Sequence, residues 1–174
     1  MPRYQGQLDG LCGQYAIVNA MTALRDVEAK HVFETACHAI ARSRWPHVVW
    51  EGTEIGDMKR MIRRCLEQMP ALDGVEVAYP FLRRQPSSSE HFWGEFYEMF
   101  EQRRARYAIL GLSRPRDHWM GVKPKGGRLM FIDSDPHKAK ILKSPAQVHM
   151  GKRRTDRRQW RAPPTHLIVF SDKA

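Results

Sequence analysis

The stretch Gln7-Leu8-Asp9-Gly10-Leu11-Cys12-Gly13-Gln14-Tyr15-Ala16-Ile17-Val18-Asn19-Ala20 decides how the rest of the chain is read. A glutamine comes first, then a short glycine-bearing turn, then a cysteine where a helix should begin. From Tyr15 onward the residues are mostly apolar helix formers: Ala16, Ile17, Ala20, Met21, Ala23 and Leu24. A helix that apolar belongs in the interior. A cysteine in its first turn faces unpaired N–H groups and the positive end of the helix dipole, a setting that favours thiolate over thiol. A thiolate is a nucleophile; acyl chemistry also requires a base and a site for the developing oxyanion.

Composition sets the outer limits. A chain of 174 residues, 42% of them hydrophobic, suits a single globular domain, assigned here to residues 1–174. No apolar run approaches a membrane span. Met1-Pro2-Arg3-Tyr4-Gln5 lacks the apolar core of a secretory signal. The expectation is a cytoplasmic protein, or one exported without a signal peptide as an effector. The three cysteines, Cys12, Cys37 and Cys65, are too few and too sparsely spaced for a disulfide framework or a metal site. Cys37 and Cys65 fall in apolar helical patterns and read as buried core. His38 beside Cys37 has no second ligand pair to complete a metal site, so neither metal nor cofactor is expected.

The pattern predicts a central helix over 14–29 and a second over 31–43, with Val32, Phe33, Ala36, Ile40 and Ala41 on its apolar face. Arg44-Trp45-Pro46-His47 breaks it, and the loop continues through Trp50-Glu51-Gly52. Thr53 to Asp57 opens a third helix, in which Met58, Met61, Ile62, Cys65 and Leu66 recur at helical spacing while Lys59, Arg60, Arg63 and Arg64 take the outer face. Met69-Pro70 stops it. Gly74 to Pro80 alternates as a short edge strand. Pro86-Ser87-Ser88-Ser89 is a loop and the cap of a helix over 89–104, whose Phe92, Trp93, Phe96 and Phe100 stripe reads as a core face ahead of a partner site. Strands follow at 106–112, 118–122, 128–133 and 165–170, with Lys125-Gly126-Gly127 as a hairpin turn. Helices first and an antiparallel sheet after is the α+β order.

The net charge of +10 admits nucleic acid, an acidic partner or an anionic surface. The run Lys152-Arg153-Arg154-Thr155-Asp156-Arg157-Arg158-Gln159-Trp160-Arg161 sets basic side chains around one tryptophan, which suits phosphate contacts and base stacking. It has no base-reading motif and reads first as a solvated loop between strands.

His118 starts one strand of the expected hairpin and Asp133 ends the other, so the two come within hydrogen-bond reach. A carboxylate there orients the imidazole and stabilises its protonated form. With the helix start packed on this end of the sheet, the set is complete. Cys12 attacks, His118 is the base, Asp133 orients, and Gln7 with the Cys12 N–H binds the oxyanion. Asp135 is an alternative orienter and Gln5 an alternative oxyanion donor. Asp117, on a strand, points away from the His118 face. Trp119 shields the site or packs in the core, and Asn19 reads as a buried hydrogen-bonding group.

This pattern resembles the papain-like cysteine peptidase superfamily, whose members carry Gln, Cys, His and then Asp or Asn in this chain order. Two motifs carry the likeness: Gln7-x-x-x-Leu11-Cys12-x-Gln14, and His118-Trp119 followed by Asp133 after a hairpin. The spacings are similar to those of Josephin-type deubiquitinases. There a Gln stands five residues before the Cys and the third residue fifteen after the His. The bacterial C39-like peptidases share a related Gln-to-Cys-Gly arrangement. Asp133 stands where Josephin domains have Asn, and the C-G-[SA]-C-[WY] run of the cathepsin branch is absent. The middle of the chain, residues 30–105, aligns with no relative. The resemblance implies a papain-like α+β fold, a helical half packed on an antiparallel sheet, and a Cys-His-Asp triad hydrolysing peptide or isopeptide bonds, with ubiquitin-like tails as one substrate class. The same residues would serve an acyltransferase or transglutaminase-like enzyme. A basic nucleic-acid-binding or protein-binding module is the reading from outside enzymology.

Overall fold

In the computed structural model, residues 10–102, 104–114, 117–134, 140–150 and 160–173 are described. Gln5, Gln7, Asp135 and residues 152–159 of the basic run lie outside them. The described residues form a mixed α/β architecture: five α-helices and a six-stranded antiparallel sheet, with strands in the order β1-β8-β2-β3-β4-β5. The α+β class expected from the element order is observed. None of the helices is long and apolar enough to cross a membrane.

Helix α1 (Cys12–Leu24) starts at the cysteine itself, two residues before the expected start, and ends five residues early at Leu24. The early end follows from the polar Arg25-Asp26 step, which offers nothing to bury. Ile17, Ala20 and Met21 are fully buried; each of the larger two contributes roughly 1.5–3 kcal/mol through burial. Helix α2 (Ala29–His38) stops before Ile40, which is buried past the helix end, while Ala41 is exposed. The expected break at Arg44 to His47 is instead a new helix, α3 (Trp45–Glu51), with Pro46 in its first turn. Proline there loses no intrahelical hydrogen bond, because first-turn N–H groups have no partner anyway. Gly52, at φ +87°, ends α3.

Helix α4 (Ile55–Gln68) has a reciprocal cap: Glu54 receives the Asp57 backbone N–H, and Asp57 accepts the Glu54 N–H at 3.1 Å. Asp57 is fully buried and also bound by Arg44 (2.9 Å) and Arg60. Burial alone would raise its carboxyl pKa, but the Glu54 N–H and the two guanidinium groups outweigh it and hold the acid below its usual value. This fixes the Thr53-Glu54 corner. Strand β1 (Val75–Ala78) lies at a sheet edge, as its pattern predicts. Ser88 caps α5 (Ser89–Glu101) by accepting the His91 N–H at 3.0 Å, and Phe92, Trp93 and Phe96 are core.

Strands β2 (Ala105–Leu112), β3 (His118–Lys125), β4 (Arg128–Ile132) and β8 (Leu167–Asp172) match the expected strands. Gly126 and Gly127 close the β3–β4 hairpin with φ of +56° and +70°, the backbone of a type I′ turn. Three strands were not legible: β5 (Lys140–Lys143), and the parallel pair β6 (Val148–Met150) and β7 (Trp160–Ala162). Each is only three or four residues long, too short for a period to register.

The helices do not form a single half. α1, α2 and α4 pack on one face of the sheet against Tyr107, Ile109, Trp119, Ile168 and Phe170. α5 and the β6–β7 pair cover the other face through Leu110, Met120, Val122 and Phe131. The central strand β2 is therefore buried on both sides. Cys65 is buried as expected, but Cys37 is half-exposed. Trp160 packs edge-on against Phe131, with centroids 4.9 Å apart, and carries Lys143 on its ring. That indole belongs to the core margin and is not a free stacking platform.

Candidate functional site

Three segments distant in sequence converge on the start of α1. Gly10 donates its N–H to Val49 O at 2.8 Å, tying the turn before the helix to α3. A Cβ on Gly10 would come within 2.6 Å of Val48 O. Gly13 lies against the Thr53 corner so closely that a Cβ would stand 2.1 Å from Thr53 Oγ1. On the sheet side, the Trp119 indole donates to Thr53 O at 2.8 Å. The Trp119 backbone N–H points at Cys12 Sγ, 3.4 Å away. One residue thus joins the helix start, the corner and β3.

His118 opens β3. The β3–β4 register pairs Gly121 with Ile132, so continuing it sets Asp133 opposite Met120, with His118 its diagonal neighbour two residues along. The side chains close that diagonal: His118 Nε2 to Asp133 Oδ1 is 2.6 Å, with both residues buried. The sequence expectation set the strand ends side by side; the contact is diagonal. With Nε2 committed to Asp133, Nδ1 is the ring nitrogen left to face the thiol, and His118 lines the same cleft as Cys12. Burial opposes the imidazolium. The hydrogen bond to Asp133, then the nearby Cys12 side chain, overcome it and raise the His118 pKa to about 9. At neutral pH the ring is therefore cationic.

Leu11 at the cap position has no polar side chain, so it caps none of the first N–H groups of α1. They stand beside the sulfur with the positive end of the helix dipole. The other thiols differ. Burial, then Glu34, pushes Cys37 up to about 11; burial, then Cys37, pushes Cys65 up to about 12. Among the described residues no group of His, Cys, Asp and Glu side chains is placed to hold a metal ion.

Cys12 and His118 open into a cleft of about 510 Å³. Sequence reasoning missed most of its wall. Among the described residues Glu51, Glu54 and Asp117 line it and no Lys or Arg does, although the chain as a whole carries +10. Asp117 precedes the strand, and it faces the cleft that its assumed strand geometry directed it away from. His47 and His166 supply two further imidazoles; His166 is the one beside Trp119. It sits in the short 3-10 turn Pro164–His166 and lies over Trp119 with ring centroids 5.2 Å apart. Burial holds its pKa below the ordinary histidine value against the pull of Asp117. A Cβ on Gly111 would meet the His166 Cβ at 3.0 Å, so the glycine admits the ring. Finding His166 required knowing that β8 pairs with β2, which brings Leu167 beside Leu110. No local signal encodes that pairing.

The structure therefore brings Cys12, His118 and Asp133 together. Asn19 is buried, at 6% exposure, and Trp119 is buried at the site. Gln7, with its alternative Gln5, and Asp135 fall outside the described residues, as does most of the basic run. Comparison with protein-family models, curated proteins and solved structures gives no match.

Proposed function

We propose that this chain is a papain-like cysteine hydrolase that cleaves peptide or isopeptide bonds through Cys12, His118 and Asp133. One observation carries the proposal. His118, clamped by Asp133 at 2.6 Å, shares an open cleft with a cysteine at a helix start, and the next residue, Trp119, turns its backbone N–H to that sulfur at 3.4 Å. A buried core cysteine has no use for such a partner.

The Cys12 thiolate attacks the substrate carbonyl carbon, forming the C–S bond and placing negative charge on the carbonyl oxygen. The Cys12 N–H at the helix start is a donor for that oxygen, and Gln7 is proposed as the second. As the tetrahedral centre collapses, the C–N bond breaks and His118 passes its proton to the departing amine. The imidazole, now neutral, takes a proton from water as the water attacks the thioester. Collapse expels the Cys12 thiolate, releases the acid and restores the imidazolium. Asp133 holds the ring orientation throughout.

The lining carboxylates Glu51, Glu54 and Asp117 support substrates with cationic residues beside the scissile bond, including basic ubiquitin-like tails. The overall positive charge of the chain thus does not argue against such tails, because the local charge at the cleft has the opposite sign. The test is a panel of fluorogenic peptides with Arg, Gln or Glu next to the cleaved bond, together with a thiol-reactive ubiquitin-tail probe. Release from the Arg peptide, lost in Cys12→Ala and His118→Ala, is expected. Hydrolysis that survives both substitutions would end the proposal.

A further inference from the structure

A second surface stands apart from the Cys12 cleft. Between α4 and the edge strand β1 runs a groove of about 490 Å³. Its floor is apolar, formed in part by Leu66, Val77 and Tyr79, and its rim is cationic: Lys59, Arg60 and Arg63. Among the described residues no carboxylate lines it. Lys59 Nζ stands 5.4 Å from the centre of the Tyr79 ring. Arg60 also reaches Asp57, and Arg63 lies 3.7 Å from Glu67 on the helix surface.

The strand beside the groove is open. β1 pairs with β8 on one side and, among the described residues, with no strand on the other. The opposite edge is protected in the usual way. β5 carries Lys140 and Lys143, and Arg128 covers its Leu142 carbonyl at 3.3 Å. β1 has neither lysine nor internal proline. Its register also fixes which backbone groups face out. Lys173 donates to Gly74 O at 2.6 Å, so Gly74 belongs to a hydrogen-bonded pair, and alternation turns the N–H and C=O of Val75 and Val77 away from β8. The side chains of Val75 and Val77 face the α4 layer, and Glu76 alternates to the other face, away from the groove.

We propose that this groove docks an extended acidic peptide segment of a partner protein, added to the sheet as a seventh strand at β1. The outward amides of Val75 and Val77 supply the ladder. Alternate side chains of the segment face the groove; the apolar floor takes some of these, and Lys59, Arg60 and Arg63 at the rim select acidic ones on the same face. A nucleic acid fits less well, because it has no backbone ladder to offer a strand edge. The site is independent of the Cys12 chemistry, and its partner need not be a substrate.

The test uses the full chain and a fluorescein-labelled twelve-residue peptide that carries valine and glutamate in turn at every second position, with threonine between, read by anisotropy. A lysine–valine peptide and a single-stranded oligonucleotide serve as controls. Saturable, salt-sensitive binding of the acidic peptide is expected, weakened about tenfold or more in Lys59→Glu/Arg63→Glu. Val77→Pro, which removes an outward N–H on an edge strand, should weaken it as well. Amide exchange at Val75 and Val77 should slow when the peptide is bound. Thermal melting identifies any variant that fails to fold, and the exposed charge-reversal pair keeps the test decisive if the proline variant does. Absent binding, equal affinity for the two peptides, tighter binding of the oligonucleotide, or indifference to the charge reversal would overturn the proposal.

Discussion

The start of α1 and the α2–α4 layer each hold cysteine in a protein interior, and they treat it in opposite ways. In the layer, Cys65 is fully buried and Cys37 half-exposed, and desolvation is the leading influence on both. Those thiols stay protonated and inert. Cys12 is almost as buried as Cys65, at 6% exposure, yet it meets an imidazolium, a backbone N–H and a helix N-terminus. On the proposed reading, burial does not separate a structural cysteine from a reactive one. The charge partner does, and here it comes from a strand more than a hundred residues away.

The sharpest way to break the contrast is to remove its two poles. Cys12→Ala or His118→Ala should each lower hydrolysis by about 10³-fold or more. Cys37→Ser and Cys65→Val should leave kcat/KM within about twofold. Steady-state assays on one peptide substrate compare all four. A deficit as large for Cys65→Val as for Cys12→Ala, with folding intact, would erase the distinction.

Asp133→Asn is the next step down. The amide can still orient the ring but no longer carries the charge that helps to raise His118, so a loss of roughly tenfold to a hundredfold is expected. The more telling readout is the pH profile. In the parent chain activity should fall as pH rises through about 9, where His118 loses the proton it gives to the leaving amine. In Asp133→Asn that alkaline limb should move to lower pH. An unchanged limb would separate Asp133 from the titration of His118.

Gly13→Ala probes the packing rather than the chemistry. The added methyl has no room beside Thr53, so the helix start must withdraw from the corner. A stability loss of about 1–3 kcal/mol is expected from denaturant unfolding, together with reduced activity. Gly94→Ala, on the solvent side of α5, meets nothing within 4 Å and should not destabilise the fold. The smallest effect is on stability against pH. The folded His118 pKa, about 9, lies above its unfolded value of 6.5. The group therefore contributes fully below pH 6.5, and its contribution declines as pH rises, vanishing through about 9. The stability difference between the parent chain and His118→Gln should shrink across that interval in urea titrations.

The same contrast explains what the sequence could and could not reveal. Cys12 was legible because its helix is apolar from Tyr15 onward and begins beside glycines. His118 and Asp133 were legible because one hairpin, closed by Gly126 and Gly127, brings their strand ends together. These are local patterns. α3 was hidden by Pro46, which signals a break and a helix start equally well. The wall of the cleft was hidden for another reason. Glu51, Thr53 and Glu54 reach it through the Asp57 corner, and His166 through the pairing of β8 with β2. Both depend on long-range packing that no short window contains. The placement of α5 on the opposite face of the sheet from α1 is of the same kind: its Phe and Trp stripe marks it as core without saying which face it covers.

The central claim is that His118 makes Cys12 reactive despite its burial. Alkylation by iodoacetamide near pH 7, quantified at each cysteine by peptide mass spectrometry, tests it most directly. Exposure alone would label the half-exposed Cys37 first. The account predicts that Cys12 is modified first, ahead of Cys37 and Cys65, and that this preference collapses in His118→Ala. Labelling of Cys37 ahead of Cys12, or a Cys12 rate unchanged by the loss of His118, would contradict it.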